Sequence, residues 1–206
     1  MPRLLIATEN KGKRREFQQL LNGLMAVEGL ELVLPSEVGI HLDVEETGST
    51  YADNAALKAV AYAGTSGLIA LADDSGLEVD ALNGAPGLYS ARYGSPDGKE
   101  KLSDRDRRTY LLEQLRGKPR PWKACFRATV AIAAPGGEVR LAEGTCPGEI
   151  IPDERGNGGF GYDPIFLLAG HTETMAELSE AEKNRLSHRG RAVRAAIPLL
   201  REMLGT

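Results

Sequence analysis

Cysteine, long apolar stretches and excess positive charge are all scarce in this sequence, and each scarcity excludes a class of protein. The two cysteines, Cys125 and Cys146, are separated far beyond a C-x-x-C spacing, so neither a zinc knuckle nor a disulfide framework is indicated. No apolar run approaches the roughly 20 residues of a membrane helix. Glu9 and Asn10 follow the first apolar residues too closely for a signal peptide. We therefore expect a cytoplasmic protein with no membrane partner.

The charge balance argues against nucleic acid as a partner. The 206 residues carry a formal net charge of −4, and an isoelectric point near 5.5 leaves none of the basic excess of proteins that coat DNA or RNA. The run Arg105-Asp106-Arg107-Arg108 follows Ser103, a good N-cap, and is interpreted as the solvated side of an amphipathic helix. An apolar content of 42% suits a globular chain, which we expect to form one domain over residues 1–206.

Apolar periodicity predicts a mixed α/β protein. LLIAT at residues 4–8 is expected to be a strand followed by a helix, and GLELVLP at residues 29–35 a second strand. Ser49 or Thr50 can cap a helix that runs through YADNAALKAVAYA. KACFRATVAIAAP and EVRLAEGTC are expected to pair as antiparallel strands. Two helices close the chain, and Pro198 is expected to kink or break the second of them.

GNGGFGYDPIF at residues 156–166 begins with the dinucleotide-binding pattern G-x-G-x-x-G, but its context is wrong for a Rossmann fold. That pattern must follow a strand and open a helix. Here CPGEIIPDER precedes it, and Pro164 lies where the helix should begin. Glycines next to aromatic residues indicate a loop that lies against a flat ligand, and a mobile surface turn is the alternative interpretation.

Asp73-Asp74-Ser75-Gly76 is the strongest single chemical feature. LIALADD, residues 68–74, is predicted to be a buried strand whose end delivers both aspartates to a cleft, with a turn at Gly76 bringing them to one opening. Two carboxylates buried together repel each other unless a cation lies between them. Hard oxygen ligands suit Mg²⁺ or Mn²⁺ rather than zinc. The alternative is that both aspartates cap a turn, and the motif alone does not separate these interpretations.

Further polar groups lie in two other segments. Glu45 and Glu46 precede the helix on which Tyr51, Asn54 and Lys58 share one face, so a polar stripe can face the aspartates, although such stripes more often face solvent.

Cations gather near both ends of the chain. Lys13 follows Thr8 and Asn10 at the tip of the first strand, where a helix N-terminus offers free N–H groups to a phosphate. Near the other end, Lys183 precedes a turn that carries His188 and Arg189. No G-x-x-x-x-G-K-[ST] motif is present, so the chain contains no P-loop.

Five motifs in order resemble those of the inosine triphosphate pyrophosphatase family. They are T-x-N-x-x-K at residues 8–13, E-T-G-S-T-Y at 46–51, D-D-S-G-L at 73–77, G-G-F-G-Y-D-P at 158–164 and S-H-R at 187–189. The resemblance spans nearly the whole chain. It implies an elongated α/β fold with a mixed sheet, flanking helices and two lobes around a central cleft that holds the triphosphate. It also implies a homodimer.

The same resemblance implies an activity and assigns residues to it. Such enzymes hydrolyse non-standard purine nucleoside triphosphates (ITP, dITP, XTP) to the monophosphate and pyrophosphate. Catalytic roles would fall to Asp74, as the general base, with Asp73 and Lys58. Mg²⁺, or Mn²⁺, would bind to Glu46 and Asp74, with Glu45 left open as a ligand. The substrate-binding residues would be Thr8, Asn10, Lys13, Ser75, Phe160, Gly161, Tyr162, Asp163, Lys183, His188 and Arg189.

Purine selectivity and two rival functions complete the expectations. Phe160 and Tyr162 would offer ring faces to the base. His188 and Arg189 would donate hydrogen bonds to a 6-oxo group. Adenine carries an amino group at that position, so two donors would face each other without an acceptor. A non-catalytic nucleotide sensor would need no carboxylate pair. A phosphatase would release one terminal phosphate instead of pyrophosphate.

Overall fold

Alternating strands and helices form a mixed α/β protein, as the apolar periodicity predicts. The computed structural model describes residues 2–98 and 100–205, without the side chains at positions 24, 25, 27 and 28. The helices are α1 (Lys11–Glu28), α2 (Tyr51–Ser66), α3 (Asp104–Leu115), α4 (Glu180–Leu186) and α5 (His188–Leu204). The strands are β1 (Arg3–Ile6), β2 (Glu31–Val33), β3 (Ile69–Val79), β4 (Pro86–Gly87), β5 (Trp122–Ala133), β6 (Val139–Ile150) and β7 (Phe166–Leu168). Among the described residues, no helix has both the length and the apolar character needed to span a bilayer.

The strands form a seven-stranded sheet of mixed direction. Its order is β2-β1-β3-β5-β6-β7, with β4 paired to β3. The strand β1 runs parallel to both β2 and β3, whereas β4 is antiparallel to β3 and β7 is antiparallel to β6. The expected pairing of β5 with β6 is confirmed, and residues 134–138 join the two strands through a turn in which Gly137 N donates to Ala134 O at 2.9 Å.

Side-chain caps fix where the helices begin. Thr50, one of the two predicted caps of α2, accepts a hydrogen bond from Asp53 N, and the Asp53 carboxylate accepts one from Thr50 N. Ser103 caps α3 by accepting from Asp106 N, as predicted. Of the kink or break expected at Pro198, the break was wrong, because α5 continues through this residue. One missing N–H is tolerated because the apolar face of this helix stays packed in the core through Val193 and other residues.

The chain divides into two compact units. The first comprises Met1–Asp74, Ala128–Gly144 and Arg189–Thr206, and the second comprises Ser75–Arg127 and Thr145–His188. In the second unit, one apolar cluster includes Leu111, Leu115, Phe126 and Tyr162. The single domain expected over residues 1–206 stays a prediction.

Within the first unit, alternate residues of β3 face different helices. Leu71 packs in a cluster with residues of α1 and α5, whereas Ala70 and Ala72 pack in a separate cluster with residues of α2. Because successive side chains of a strand point to opposite faces, Asp73 continues the Leu71 side and Asp74 continues the Ala72 side. The two neighbouring carboxylates therefore belong to opposite faces of the sheet.

The expectation that β3 ends at the aspartates was wrong. The strand continues through Gly76 to Val79, and its later residues pair with β4 at Leu77 and Glu78. The apolar residues Leu77 and Val79 are both 0% exposed, so burial beyond the aspartates extends the strand. Asp73 and Asp74 thus lie in mid-strand, and no turn at Gly76 gathers them to one opening.

Candidate active site

Asp73 lies in a fully enclosed ion-pair cluster of the first unit. Its side chain is 0% exposed, and its oxygens lie 3.1 Å from Lys13 Nζ and 3.0 Å from Arg189 Nε. Arg189 also donates through Nη1 to Glu16 Oε2 at 2.5 Å. Burial favours the neutral acid, but the charges of Lys13, Arg189 and Lys58 outweigh it and hold the pKa of Asp73 well below its usual range. Asp73 therefore connects α1 and α5 through its contacts with Lys13 and Arg189.

Asp74 has a different environment on the α2 side of the sheet. Its Oδ2 accepts a hydrogen bond from Asn54 Nδ2 at 3.2 Å, and its Oδ1 lies 3.6 Å from Lys58 Nζ. Burial, reinforced by the charges of Glu46 and Asp73, raises the pKa of Asp74, while Lys58 and Lys13 only partly offset the rise. A carboxylate whose pKa is raised by burial is a better proton acceptor than an exposed one.

Glu46 shares the ammonium group of Lys58 with Asp74. Its Oε1 lies 2.6 Å from Lys58 Nζ, and its side chain is 29% exposed. Burial lowers the pKa of Lys58, but the charges of Asp74, Asp73 and Glu46 together raise it above its usual value. Lysine at this position is therefore firmly protonated, and the two carboxylates converge on one point of positive charge.

The side chain of Asn54 links Asp74 to the loop in which Glu46 lies. Asn54 is 3% exposed, and its Oδ1 accepts from Gly48 N at 2.8 Å while its Nδ2 donates to Asp74. A Cβ at Gly48 would lie 2.4 Å from the Cβ of Asp53, so the close approach of this loop to α2 requires glycine. The predicted polar stripe on α2 thus faces inward at Asn54 and Lys58.

The residues present fit a magnesium ion only with help from a substrate. Among the residues that the structure describes, no group of three or more His, Cys, Asp or Glu side chains is arranged to hold a metal. The oxygens of Glu46 and Asp74 nevertheless approach the same Lys58 nitrogen, at 2.6 and 3.6 Å. Mg²⁺ is often bound by one or two carboxylates, with substrate phosphates and water completing its octahedron. This donor set matches that pattern.

The N-terminus of α1 forms a second polar group of the first unit. Asn10 is the N-cap, and its side chain accepts from Lys13 N at 3.0 Å. Asn10 N donates to Thr8 Oγ1 at 3.2 Å. Burial lowers the pKa of Lys13, although Asp73 opposes this shift. The start of an 18-residue helix provides N–H groups and a positive dipole end beside this lysine.

In the second unit, Asp163 fixes the glycine-aromatic loop over residues 158–163. Its Oδ2 accepts from Phe160 N at 2.8 Å and from Lys183 Nζ at 2.6 Å. Lys183 also lies 4.7 Å from the centre of the Phe160 ring. Asp163 is 4% exposed and Lys183 is 7% exposed, so this ion pair is a buried support of the loop.

Tyr162 is a core residue, which corrects the expectation that its ring offers a face to a base. It is 3% exposed, and its hydroxyl donates to Ser90 O at 2.9 Å. One side of the ring is covered by the guanidinium of Arg107, 5.8 Å from its centre. The alternation of glycine and aromatic residues did not reveal this, because Phe160 and Tyr162 are both aromatic residues next to glycine and differ only in their burial.

The remaining predicted substrate-binding residues lie in different settings. His188 begins α5 and stacks on Phe126, with ring centres 4.7 Å apart and planes inclined by 10°. Arg189, the next residue, belongs to the first unit and directs two donors at Asp73 and Glu16. Ser75 is half-buried in β3. The cations near the C-terminus are thus divided between the Asp163 and Asp73 carboxylates.

Sequence reasoning missed the role of the charged residues at the start of α3. Arg107 and Arg108 were expected on a solvated face, but their side chains are only 13% and 12% exposed. Arg108 binds both oxygens of Glu154, at 2.8 and 3.0 Å. The helix has charges on nearly every side of its first turn, so its apolar pattern gave no indication of which charges turn inward.

A mixed α/β fold in which carboxylates pair with lysines beside a helix N-terminus is typical of proteins that bind phosphorylated small molecules. The chain belongs to the Ham1 family, whose model matches residues 4–199. The resemblance inferred from five motifs is thereby confirmed.

Individual relatives cover nearly the whole chain. It is 45% identical over 202 residues to the dITP/XTP pyrophosphatase of Desulforamulus reducens, covering 98% of this chain and 96% of that protein. It is 49% identical to the dITP/XTP pyrophosphatase of Synechocystis, covering 93% and 92%. A solved HAM1 protein from Coxiella burnetii superimposes with a TM-score of 0.85 at 38% identity, covering 98% of this chain and all of that one.

Proposed function

We propose that this protein is a nucleoside triphosphate pyrophosphatase that removes non-standard purine nucleotides from the nucleotide pool. It hydrolyses ITP, dITP or XTP to the nucleoside monophosphate and pyrophosphate. The observation that carries the proposal is the convergence of Glu46 and Asp74 on Lys58, an arrangement that suits a polyphosphate with a divalent cation. The names of the relatives, dITP/XTP pyrophosphatase, support the same activity and substrate class.

Glu46 and Asp74 would hold Mg²⁺, or alternatively Mn²⁺. When bound, the ion neutralises charge on the phosphate oxygens and polarises the phosphoanhydride for attack. Lys58, which both carboxylates now contact, is placed to pair with a phosphate oxygen once a substrate enters.

Asp74 is proposed as the general base for water. Water adds to the α-phosphorus, its proton passes to a carboxylate oxygen of Asp74, and the bond between the α-phosphorus and the bridging oxygen breaks. Pyrophosphate leaves with that bridging oxygen, and Lys13, Lys58 and the N-terminus of α1 balance its charge. Asn54 holds Asp74 in place by its hydrogen bond at 3.2 Å. Thr8 and Asn10 shape the turn in which phosphate oxygens meet helix N–H groups.

The loop over residues 158–163 is proposed to contact the purine. Phe160 supplies a ring face, and the backbone of Gly161 approaches the edge of the base. His188 donates a hydrogen bond to the 6-oxo group. Adenine has an amino group at that position, so two donors would face each other. Lys183 and Asp163 support this loop through their buried ion pair. Arg189, whose donors are held by Glu16 and Asp73, is proposed as a positioning residue that keeps Asp73 charged.

A homodimer and a cytoplasmic location complete the proposal, both supported by the family resemblance. Sedimentation at micromolar concentration tests the first, since a single species at the mass of one chain would contradict it.

Phosphorus NMR distinguishes the proposed activity from its rivals. With Mg²⁺ and ITP, we expect inosine monophosphate and pyrophosphate in equal amounts, and no orthophosphate signal. Orthophosphate with inosine diphosphate would establish a terminal phosphatase. Binding of ITP without any product would establish a nucleotide sensor. Addition of EDTA serves as the control, since it should stop product formation if a divalent ion is required.

Exchange of each neighbouring glutamate identifies the metal ligand. We expect Glu46→Gln to raise the Mg²⁺ concentration for half-maximal activity by roughly tenfold or more, because a charged oxygen ligand is lost. Glu45→Gln is the matched control, because Glu45 is exposed and its substitution removes the same charge one position away. Steady-state rates over a magnesium titration measure both. A shift in Glu45→Gln alone would transfer the assignment to Glu45.

A further inference from the structure

Both main-chain polar groups of Gly161 are held by charged side chains of α3. Asp104 Oδ2 accepts a hydrogen bond from Gly161 N at 2.7 Å, and Arg108 Nη1 donates to Gly161 O at 2.8 Å. These contacts fix the peptide groups on either side of Gly161. Charged partners make such hydrogen bonds stronger than neutral ones.

The two side chains are themselves fixed by further ion pairs. Arg108 donates hydrogen bonds to both carboxylate oxygens of Glu154, and Asp104 forms an ion pair with Arg107. The hydrogen bonds from Arg108 lower the pKa of Glu154. Leu111 on the same helix is 0% exposed, which anchors α3 in the apolar cluster of the second unit. The support of the loop is therefore a helix packed in the apolar cluster rather than another loop.

The glycines of this loop give the contacts from α3 a second role besides the support from Asp163. Gly161 has a φ of +64°, the left-handed region, and an added Cβ would meet nothing within 4 Å. The residue is thus needed for its conformation, not for lack of space. A segment containing Gly158, Gly159 and Gly161 has many accessible conformations, and ordering it on binding would weaken affinity.

We propose that Arg108 and Asp104 are positioning residues for purine recognition, which lock the Gly161 backbone in the conformation that meets the base. This inference rests on the proposed function. Neither side chain needs to touch the substrate. Their loss should therefore weaken binding of the correct base more than it slows the chemical step.

Arg108→Met tests the proposal, with Arg105→Met as the matched control. Arg105 is exposed on the same turn of α3 and also contributes positive charge near Glu154. We expect Arg108→Met to raise KM for ITP roughly tenfold, with kcat changed by no more than about threefold, and to narrow the preference for ITP over ATP. Arg105→Met should match the wild type in all three quantities. Arg108→Lys, which keeps one donor, should recover part of the affinity.

Asp104→Ala provides a second variant if Arg108→Met melts below the assay temperature. It should raise KM for ITP in the same direction, whereas Asp106→Ala in the same turn should not. Because Asp104 and Arg108 hold one residue, their combined effect should be smaller than the product of the single effects.

The outcomes separate this inference from the proposed function. If wild type and Arg105→Met release no pyrophosphate from ITP, the proposed function fails and the inference fails with it. If both are active, unchanged KM and base preference in Arg108→Met and Asp104→Ala refute the inference alone. Equal losses of kcat on ITP and ATP at constant KM would also refute it, since they would indicate a role in chemistry.

Discussion

Replacing Asp74 with Asn is expected to lower kcat by roughly 10³-fold or more while leaving the fold intact, because the amide cannot accept a proton from water. The side chain keeps its shape and can still accept the hydrogen bond from Asn54. Burial already raises the pKa of Asp74, so the charged form is disfavoured in the folded protein. Loss of that charge should leave thermal stability equal or slightly higher, as is common at functional sites.

Asp43→Asn is the control for this experiment, since Asp43 is exposed and lies outside the ion-pair cluster. Pyrophosphate release under saturating ITP and the melting temperature are measured for both variants. Raising Mg²⁺ should not restore Asp74→Asn. If it does, Asp74 acts only as a metal ligand, and the base lies elsewhere.

The second large effect is expected from Arg189→Met. This change removes the buried guanidinium that Asp73 and Glu16 share. In the wild type its nitrogens lie 3.0 Å from Asp73 Oδ2 and 2.5 Å from Glu16 Oε2. Removing one partner of a buried ion pair costs about 3–5 kcal/mol of unfolding free energy, which lowers the melting temperature of a chain this size by about 10 °C. Arg191→Met, at an exposed position on the same helix, should change it by only a degree or two.

The pH dependence gives this prediction a direction. In the wild type the folded-state pKa of Asp73 lies below its usual value, so its stabilising effect is present at neutral pH and is lost only as pH falls through that low pKa. In Arg189→Met, burial is opposed only by Lys13 and Lys58, so we expect the folded-state pKa of Asp73 to rise. The deficit in melting temperature should therefore shrink between about pH 8 and about pH 5, measured in EDTA. A deficit that grows on acidification would contradict the role assigned to Arg189.

The sequence predicted the helices and strands well where local chemistry decides them. Caps at Thr50 and Ser103 and the strand before α1 follow from short patterns, and all are present. The length of β3 did not follow, because its continuation depends on pairing with β4, a segment of two residues with no strand pattern of its own.

For the candidate site, the motifs predicted which residues would contribute but not how they are partnered. Nothing in D-D-S-G distinguishes an aspartate bound to two cations from one bound to Asn54 and Lys58. The pairing of Arg108 with Gly161 was also hidden, since 53 positions separate the two residues. Such contacts depend on tertiary packing, which single-sequence patterns do not encode.

Asp73 and Asp74 are chain neighbours that serve different helices, and this makes the spacing along β3 part of the catalyst. Inserting or deleting one residue between Ile69 and Asp73 would exchange the two side chains between the faces, directing Asp73 at Lys58 and Asp74, the proposed base, at Arg189. A change of length in a loop leaves this alternation intact, whereas a change of one residue along that short segment reverses it.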